Sequence, residues 1–201
     1  MKRYINASVK SLISEDYDTL LDLAEDPNTR PEILDELLTS DFEEVYRAVA
    51  KNPNTSPNTL HKIYEDHNVL DIELAQNPKL PYDLCELFSS SEYYVFVREA
   101  LASNPGIPLS VMQKLANDED WHVRTNLAQN PSLPDDLITK FAKDAESQVR
   151  KYVCLNPNIS NELLLELCED VRWYVREIAN TILLERGVLK SDEKIYKSSN
   201  N

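Results

Sequence analysis

The chain has 201 residues, of which 42% are hydrophobic and 28% charged, enough to bury a core and too polar to read as a membrane-spanning protein. Lys+Arg 21 against Asp+Glu 35 gives a net charge of -14 and a pI near 4.6, the wrong sign for a general grip on a phosphate backbone. Only Gly106 and Gly187 are glycine, so neither a Walker phosphate loop nor a dinucleotide fingerprint can be written.

In chain order, Met1 to Ser11 has basic residues without an apolar run of signal-peptide length, which gives the expectation of a cytoplasmic protein. Ser8 to Glu25 sets Val9, Leu12, Ile13, Leu20, Leu21 and Leu23 among acids, the pattern of an N-terminal cap. From there the sequence repeats. Asn-Pro recurs at Asn52, Asn77, Asn104, Asn130 and Asn156, after a diverged Asp26-Pro27, in steps of 26, 25, 27, 26 and 26 residues. Seven residues before each Asn stands Val45, Leu70, Val97, Val123 or Val149, and five residues after that comes a small one: Ala50, Ala75, Ala102, Ala128 or Cys154.

Each unit parses into two short helices. A second proline (Pro31, Pro57, Pro81, Pro108, Pro134) predicts the start of helix A at its first position, where a missing N–H costs nothing. Apolar residues such as Leu34/Leu37, Leu84/Leu87 and Leu137/Phe141 then mark one buried face, while Leu80, Ile107 and Leu133 are placed to staple the first turn. Helix B is predicted to open with capping acids or polar residues, as in Asp118-Glu119-Asp120, Asp144-Ala145-Glu146 and Ser40-Asp41. The proline after each Asn drives that residue out of the helical region and ends helix B, and the Asn amide is expected to bond the neighbouring turn. Two-turn helices are marginal alone, so the units must stack. The expected fold is all-α: a curved α-solenoid of about six 26-residue repeats, some helices 3₁₀ in character. Residues 1–25 are the expected N-terminal cap, 26–180 the repeats, 181–189 a C-terminal cap on Gly187, and 190–201 a frayed tail, in one domain.

The run Asn-Pro, second proline and Leu-x-x-Leu, followed by Asp-x-x-x-x-Val-Arg-x-x-Leu-Ala, resembles the variant leucine-rich repeat family, a helical relative of HEAT and armadillo repeats. Asn130 to Leu155 is the best copy, and the likeness covers about Asp26 to Asn180. The resemblance implies a helical superhelix and a binding role. Some members carry a cysteine-rich iron–sulfur module, which does not carry over to a chain without a cysteine cluster. Cys85, Cys154 and Cys168 read as buried free thiols, and His61, His67 and His122 lack zinc-site spacing, so neither cofactor nor metal is expected.

Candidate sites follow from the repeat register. Arg98, Arg124, Arg150 and Arg176 each follow the aliphatic slot, and Asp118, Asp144 and Asp170 each stand six residues before an arginine. Together they read as a structural ladder, with an anion-binding stripe as the alternative. The ladder is expected to break where Val45-Tyr46 and Leu70-Asp71 replace Val-Arg. Trp121 and Trp173 share one slot two repeats apart, roughly 20 Å from each other at ordinary helix spacings, with Tyr94, Phe96 and Tyr174 flanking it. Aromatic anchors of this kind suit a protein interface or, equally, a covering for inter-repeat seams. Residues 1–104 carry 9 basic and 20 acidic residues against 12 and 15 in 105–201, so a basic or mixed protein or peptide partner is expected to meet acids such as Glu43 and Glu44 at the front. The reading is a non-enzymatic binding scaffold. Its alternatives are an acidic DNA-mimic inhibitor and a HEAT-like DNA glycosylase, the latter opposed by charge.

Overall fold

The computed structural model describes residues 16–66 and 70–190, and the described residues form thirteen α-helices and no strand. Val9, Leu12, Ile13, His67 and the tail from 191 onward lie outside them. The chain divides into two compact units, Met1–Ile107 and Pro108–Asn201. The first holds α1 (Tyr17–Glu25), α2 (Pro31–Leu37), α3 (Glu43–Lys51), α4 (Pro57–Asp66), α5 (Asp71–Ala75), α6 (Tyr82–Phe88) and α7 (Val95–Ser103). The second holds α8 (Leu109–Leu115), α9 (Trp121–Ala128), α10 (Asp135–Phe141), α11 (Ser147–Val153), α12 (Asn161–Leu167) and α13 (Trp173–Glu185).

Within each unit the B helices form one row, α1–α3–α5–α7 and α9–α11–α13, and the A helices pack against them as a second layer. The repeated apolar slots are the core between the layers. Val45, Leu70, Val123, Val149 and Val175 are fully buried, as are Ala50, Ala75, Ala102 and Ala128. Phe88 and Phe141, one at the end of an A helix in each unit, are the largest fully buried side chains.

The recurring Asn-Pro does more than end a helix. Pro53 has no N–H to give the Val49 carbonyl, and the Thr55 hydroxyl donates to that carbonyl instead at 2.5 Å. The asparagine itself works in both directions. Its Oδ1 accepts the N–H two residues on, at 2.8–2.9 Å for Asn54, Lys79, Gly106, Ser132 and Asn158, which pins the turn. Its Nδ2 reaches back one repeat. Asn77 donates to the carbonyls of Ala50 (2.6 Å) and Asn52 (3.0 Å), Asn104 to Ala75 (2.8 Å) and Asn77 (2.7 Å), and Asn52 to Ala24 (2.8 Å) and Asp26 (2.9 Å). In the second unit Asn156 does the same to Ala128 (2.8 Å) and Asn130 (3.0 Å). The alanine carbonyl of each pair is one that helix B leaves open when the proline turns the chain away, whereas the carbonyl at the asparagine or aspartate position already accepts a backbone N–H in its own turn, such as Thr55 N–H on Asn52, and takes the amide as a second donor. Asp26, in the first copy of the slot, has the acceptor but no donor: its Oδ1 takes the Asn28 N–H at 2.9 Å.

Three details differ from the sequence expectation, and the C-terminal cap on Gly187 follows it. No separate 3₁₀ helix occurs among the described residues: the i→i+3 bonds close the Asn-Pro turns, as in Thr55 N–H to Asn52 O, or tighten the ends of α-helices, as in Ser40 N–H to Leu37 O and Asp118 N–H to Leu115 O. Pro31 and Pro57 take the first helical position, but Pro81, Pro108 and Pro134 stand one residue earlier, where the absent N–H is equally harmless. Of the acids and polar residues expected to cap the B helices, only Asp120 does so, accepting the His122 N–H at 2.8 Å, while Phe42 and Glu146 sit at the caps of α3 and α11 without a side-chain bond. Asp118, Asp144 and Asp170 instead brace the preceding turn by accepting the N–H two residues on, at 2.8–2.9 Å. The last helix, α13, runs 13 residues and closes on Gly187 at φ 69, with Val188 N–H to Leu183 O at 2.9 Å and Gly187 N–H to Leu184 O at 3.0 Å.

The Asn77→Asp variant keeps the turn acceptor and loses both cross-repeat donors, leaving two buried carbonyls facing a carboxyl group. It should cost about 3 kcal/mol or more, read as a lower thermal and urea midpoint. An unchanged midpoint would show that these amides carry little of the stacking energy.

Candidate functional site

The loops before the B helices gather most of the predicted site residues. Arg124 lies in the first turns of α9 and Arg150 in α11, and both guanidiniums are used on two sides. Nη1 of Arg124 donates to the carbonyls of Asp118 (2.8 Å) and Glu119 (3.2 Å) in its own loop. Its Nε and Nη2 grip Asp144 of the next repeat side-on at 2.8 and 3.0 Å. Arg150 repeats the arrangement, with Nη1 on Asp144 O (2.7 Å) and Ala145 O (3.1 Å), and Nε and Nη2 on Asp170 at 2.6 and 3.0 Å. The side chains are 14% and 8% exposed in the first pair and 11% and 7% in the second, so both bidentate pairs are shielded from water. Arg98 is buried and donates to the Tyr93 carbonyl at 2.5 Å.

Where the arginine is missing, other residues take over parts of its work. Tyr46 stands in the arginine slot, and its single hydroxyl proton is shared between the carbonyls of Ser40 (2.7 Å) and Leu38 (2.8 Å); Ser40 lies six residues back, the same offset as Asp118 from Arg124. The ion pair between repeats moves one residue along: Arg47 meets Glu73 of the next B helix at 2.5 Å and Glu43 at 2.9 Å. Asp71, the second substitute, accepts the Tyr93 hydroxyl at 2.6 Å. Burial pushes its carboxyl above the usual value, and the Tyr93 hydrogen bond only partly offsets this. Tyr93 in turn packs on Phe88, with ring centroids 5.0 Å apart.

The aromatic residues divide by exposure. Trp121 and Trp173 open α9 and α13 in the same slot, which Glu43 fills in α3 and Ser147 in α11. Trp121 is half-buried and stacked on His122 at a centroid distance of 3.6 Å, and the His122 ring is itself tied to Asp120 at 2.8 Å. Trp173 is 65% exposed and meets Tyr174 edge-on, while the Tyr174 hydroxyl lies 2.6 Å from that of Ser147. In the first unit Tyr94 and Phe96 are 78% and 67% exposed. Glu43 and Glu44 are both exposed, but Glu43 is held by Arg47. Val171, 76% exposed beside Trp173, was not singled out by sequence, since an isolated valine between charges carries no signal of its own.

Burial raises the thiols of Cys85 and Cys154 to about 12 and that of Cys168 to about 11, so all three stay protonated and poor nucleophiles at neutral pH.

Among solved structures, the chain is similar to one described as a leucine-rich repeat variant with a novel repetitive protein structural motif, at a TM-score of 0.54 and 24% identity, over 93% of this chain and 76% of that one. The fold is that of a leucine-rich repeat variant. No protein-family model matches the chain, and no curated protein matches it. The leucine-rich repeat variant fold is here a helical one in which leucine, valine and alanine slots fill the space between two helix layers, as in α9 to α13. No helix among the described residues is long and apolar enough to cross a membrane.

The two bidentate pairs make a stability prediction. Removing one partner strands the other, so Arg150→Ala should cost about 3 kcal/mol, whereas Glu43→Gln, which breaks an exposed pair, should cost less than about 1 kcal/mol. A double-mutant cycle with Asp170→Asn checks whether the loss belongs to the pair. The same pair sets a pH dependence. Burial alone would raise the Asp170 carboxyl, but hydrogen bonds from Arg150 and the Arg172 N–H, with the charges of Arg150 and Arg176, hold it below its ordinary 3.8. A depressed carboxyl stabilises the fold above the unfolded value and loses that contribution as pH falls through the native one. Acid unfolding below about pH 4 should therefore be shallower in Asp170→Asn than in the parent, and identical acid profiles would contradict the assignment.

Proposed function

We propose that the chain is a non-enzymatic scaffold that binds a protein or peptide through the loops that precede its B helices. The observation that carries this reading is the presence in these loops and first helical turns of large exposed aromatics whose backbone is set by buried neighbours on the same helix. Trp173 is the first residue of α13, two positions before fully buried Val175, and Tyr94 caps α7 three positions before buried Val97. The backbone that carries each ring is thus already ordered before a partner covers it, so binding has only the two side-chain torsions of the aromatic to fix, a condition that suits an energetic anchor. Trp121 contributes a smaller exposed area because His122 covers one face.

Glu43 and Glu44 open α3 in the first unit and favour basic residues in the partner. Their contribution is to the rate of encounter and its salt dependence, since exposed acids in water add little to the bound state. The leucine-rich repeat variant fold supports a scaffold of this kind without specifying what it holds.

A partner captured by the wild-type protein should bind Trp173→Ala at least about tenfold more weakly, the usual loss for an aromatic hot spot. Trp121→Ala should weaken it less. Reversing Glu43 and Glu44 to Lys should mainly slow association and flatten its dependence on ionic strength. Undiminished binding in Trp173→Ala, Trp121→Ala and Tyr94→Ala alike would move the interface away from these loops.

A further inference from the structure

The arginine ladder has an open end. Arg176 sits in α13 as Arg124 and Arg150 sit in α9 and α11, and its Nη1 makes the same loop contacts, to Asp170 O at 2.7 Å and Val171 O at 3.2 Å. In both neighbours the Nε/Nη2 edge then grips a carboxylate twenty residues further along the chain, Asp144 for Arg124 and Asp170 for Arg150. Twenty residues beyond Arg176 the sequence has Tyr196, and no hydrogen bond or ion pair engages the Nε/Nη2 edge of Arg176 among the described residues. The guanidinium is half-buried and anchored through Nη1, so that edge is pre-oriented rather than free to turn.

Two further observations indicate what the open edge would receive. Residues 171–190 carry four basic residues, Arg172, Arg176, Arg186 and Lys190, against Glu177 and Glu185, a local excess of positive charge in a chain of net charge -14. Trp173 stands one turn before Arg176 on the same helix face, and both Trp173 and Val171 are largely exposed. A carboxylate arriving at Arg176 would thus find an apolar rim beside it.

We propose that the Nε/Nη2 edge of Arg176 is a carboxylate-binding site that takes an aspartate from an acidic segment of a partner protein, adding a rung to the ladder from outside the chain. The incoming carboxylate lies side-on, one oxygen on Nε and the other on Nη2, as Asp144 and Asp170 do. The neighbouring residue of the partner packs on Val171 and Trp173. The site rests on the scaffold reading but differs from the acidic front of the molecule: this end selects acids, whereas Glu43 and Glu44 favour bases.

The test uses the full chain labelled with ¹⁵N-arginine and a blocked peptide of the sequence 141–149, the segment that presents Asp144 to Arg124. The Nε–H signal of Arg176 is assigned by its disappearance in Arg176→Lys. Addition of the peptide should shift that signal, and the same peptide with Asn in place of the aspartate should bind at least about tenfold more weakly, as the loss of a charge-assisted bidentate contact requires. Arg176→Lys should weaken peptide binding by a similar factor while keeping the melting midpoint near that of the parent. Equal binding of the two peptides, or a silent Arg176 signal, would overturn the proposal. A signal that moves with protein concentration alone would assign the site to a second copy, and one already shifted and unresponsive to peptide would assign it to this chain's own residues. Either result overturns a partner carboxylate. A partner that binds Arg176→Lys normally but fails on Trp173→Ala would leave the scaffold reading standing and remove this one.

Discussion

The side-chain amide of the recurrent asparagine is the interaction on which the stacking depends. A helix of two turns ended by proline leaves a carbonyl near its C-terminus, at Ala24, Ala50, Ala75 or Ala128, without a backbone hydrogen bond, and the amide of the next repeat reaches it. Asn52, Asn77, Asn104 and Asn156 are at most 3% exposed, and each supplies two donors to the repeat before it while its own oxygen closes the turn it occupies. No other side chain of this size offers two donors and an acceptor together. Asp and Ser could close the turn but not bridge back, and Gln would carry the amide one methylene too far. The hydrophobic slots supply the bulk of the burial, but the amides fix the register in which α3 packs on α5 and α9 on α11.

The second periodic interaction, the arginine with its acid, tolerates replacement, and the difference is physical. An arginine at the loop edge satisfies carbonyls that remain near water, so a tyrosine hydroxyl at position 46 can do the same. The ionic half of the rung is likewise portable, as Arg47 and Glu73 show by carrying it one residue along. At the buried asparagine slot the first copy, Asp26, retains the half of the function that a carboxylate can perform. Gly106 shows a local accommodation of another kind: a Cβ there would collide with the Pro78 carbonyl oxygen, at the one step where the repeat lengthens to 27 residues.

The helices and the core slots could be read from the sequence because both follow from local rules: proline ends and starts helices, and a buried face keeps its spacing. The cross-repeat reach of the asparagines could not. Asn77 and Ala50 are 27 residues apart, and nothing in the local pattern distinguishes an amide that bonds its own turn from one that also bonds the repeat before it. Asp118, Asp144 and Asp170 were placed beside helix starts by sequence, but whether they capped the helix or braced the turn depended on which N–H each carboxylate met first. For the candidate site, the repeat register identified Trp121 and Trp173 as equivalent, whereas the stack with His122 makes them unequal. The open edge of Arg176 was legible only once the rule linking an arginine to an acid twenty residues later had been seen in Arg124 and Arg150.

Side-chain amide hydrogen exchange tests the central role of the asparagines most directly. The Nδ2 protons of Asn52, Asn77, Asn104 and Asn156 should exchange far more slowly than those of exposed Asn117, whose Nδ2 donates to Gln113 O within its own helix end. They should also gain their protection in step with the backbone amides of the B helices, because both are released only when a repeat interface opens. Exchange of the four buried amides at the rate of Asn117 would contradict the account, since it would mean that the repeats stay stacked while these bonds are open.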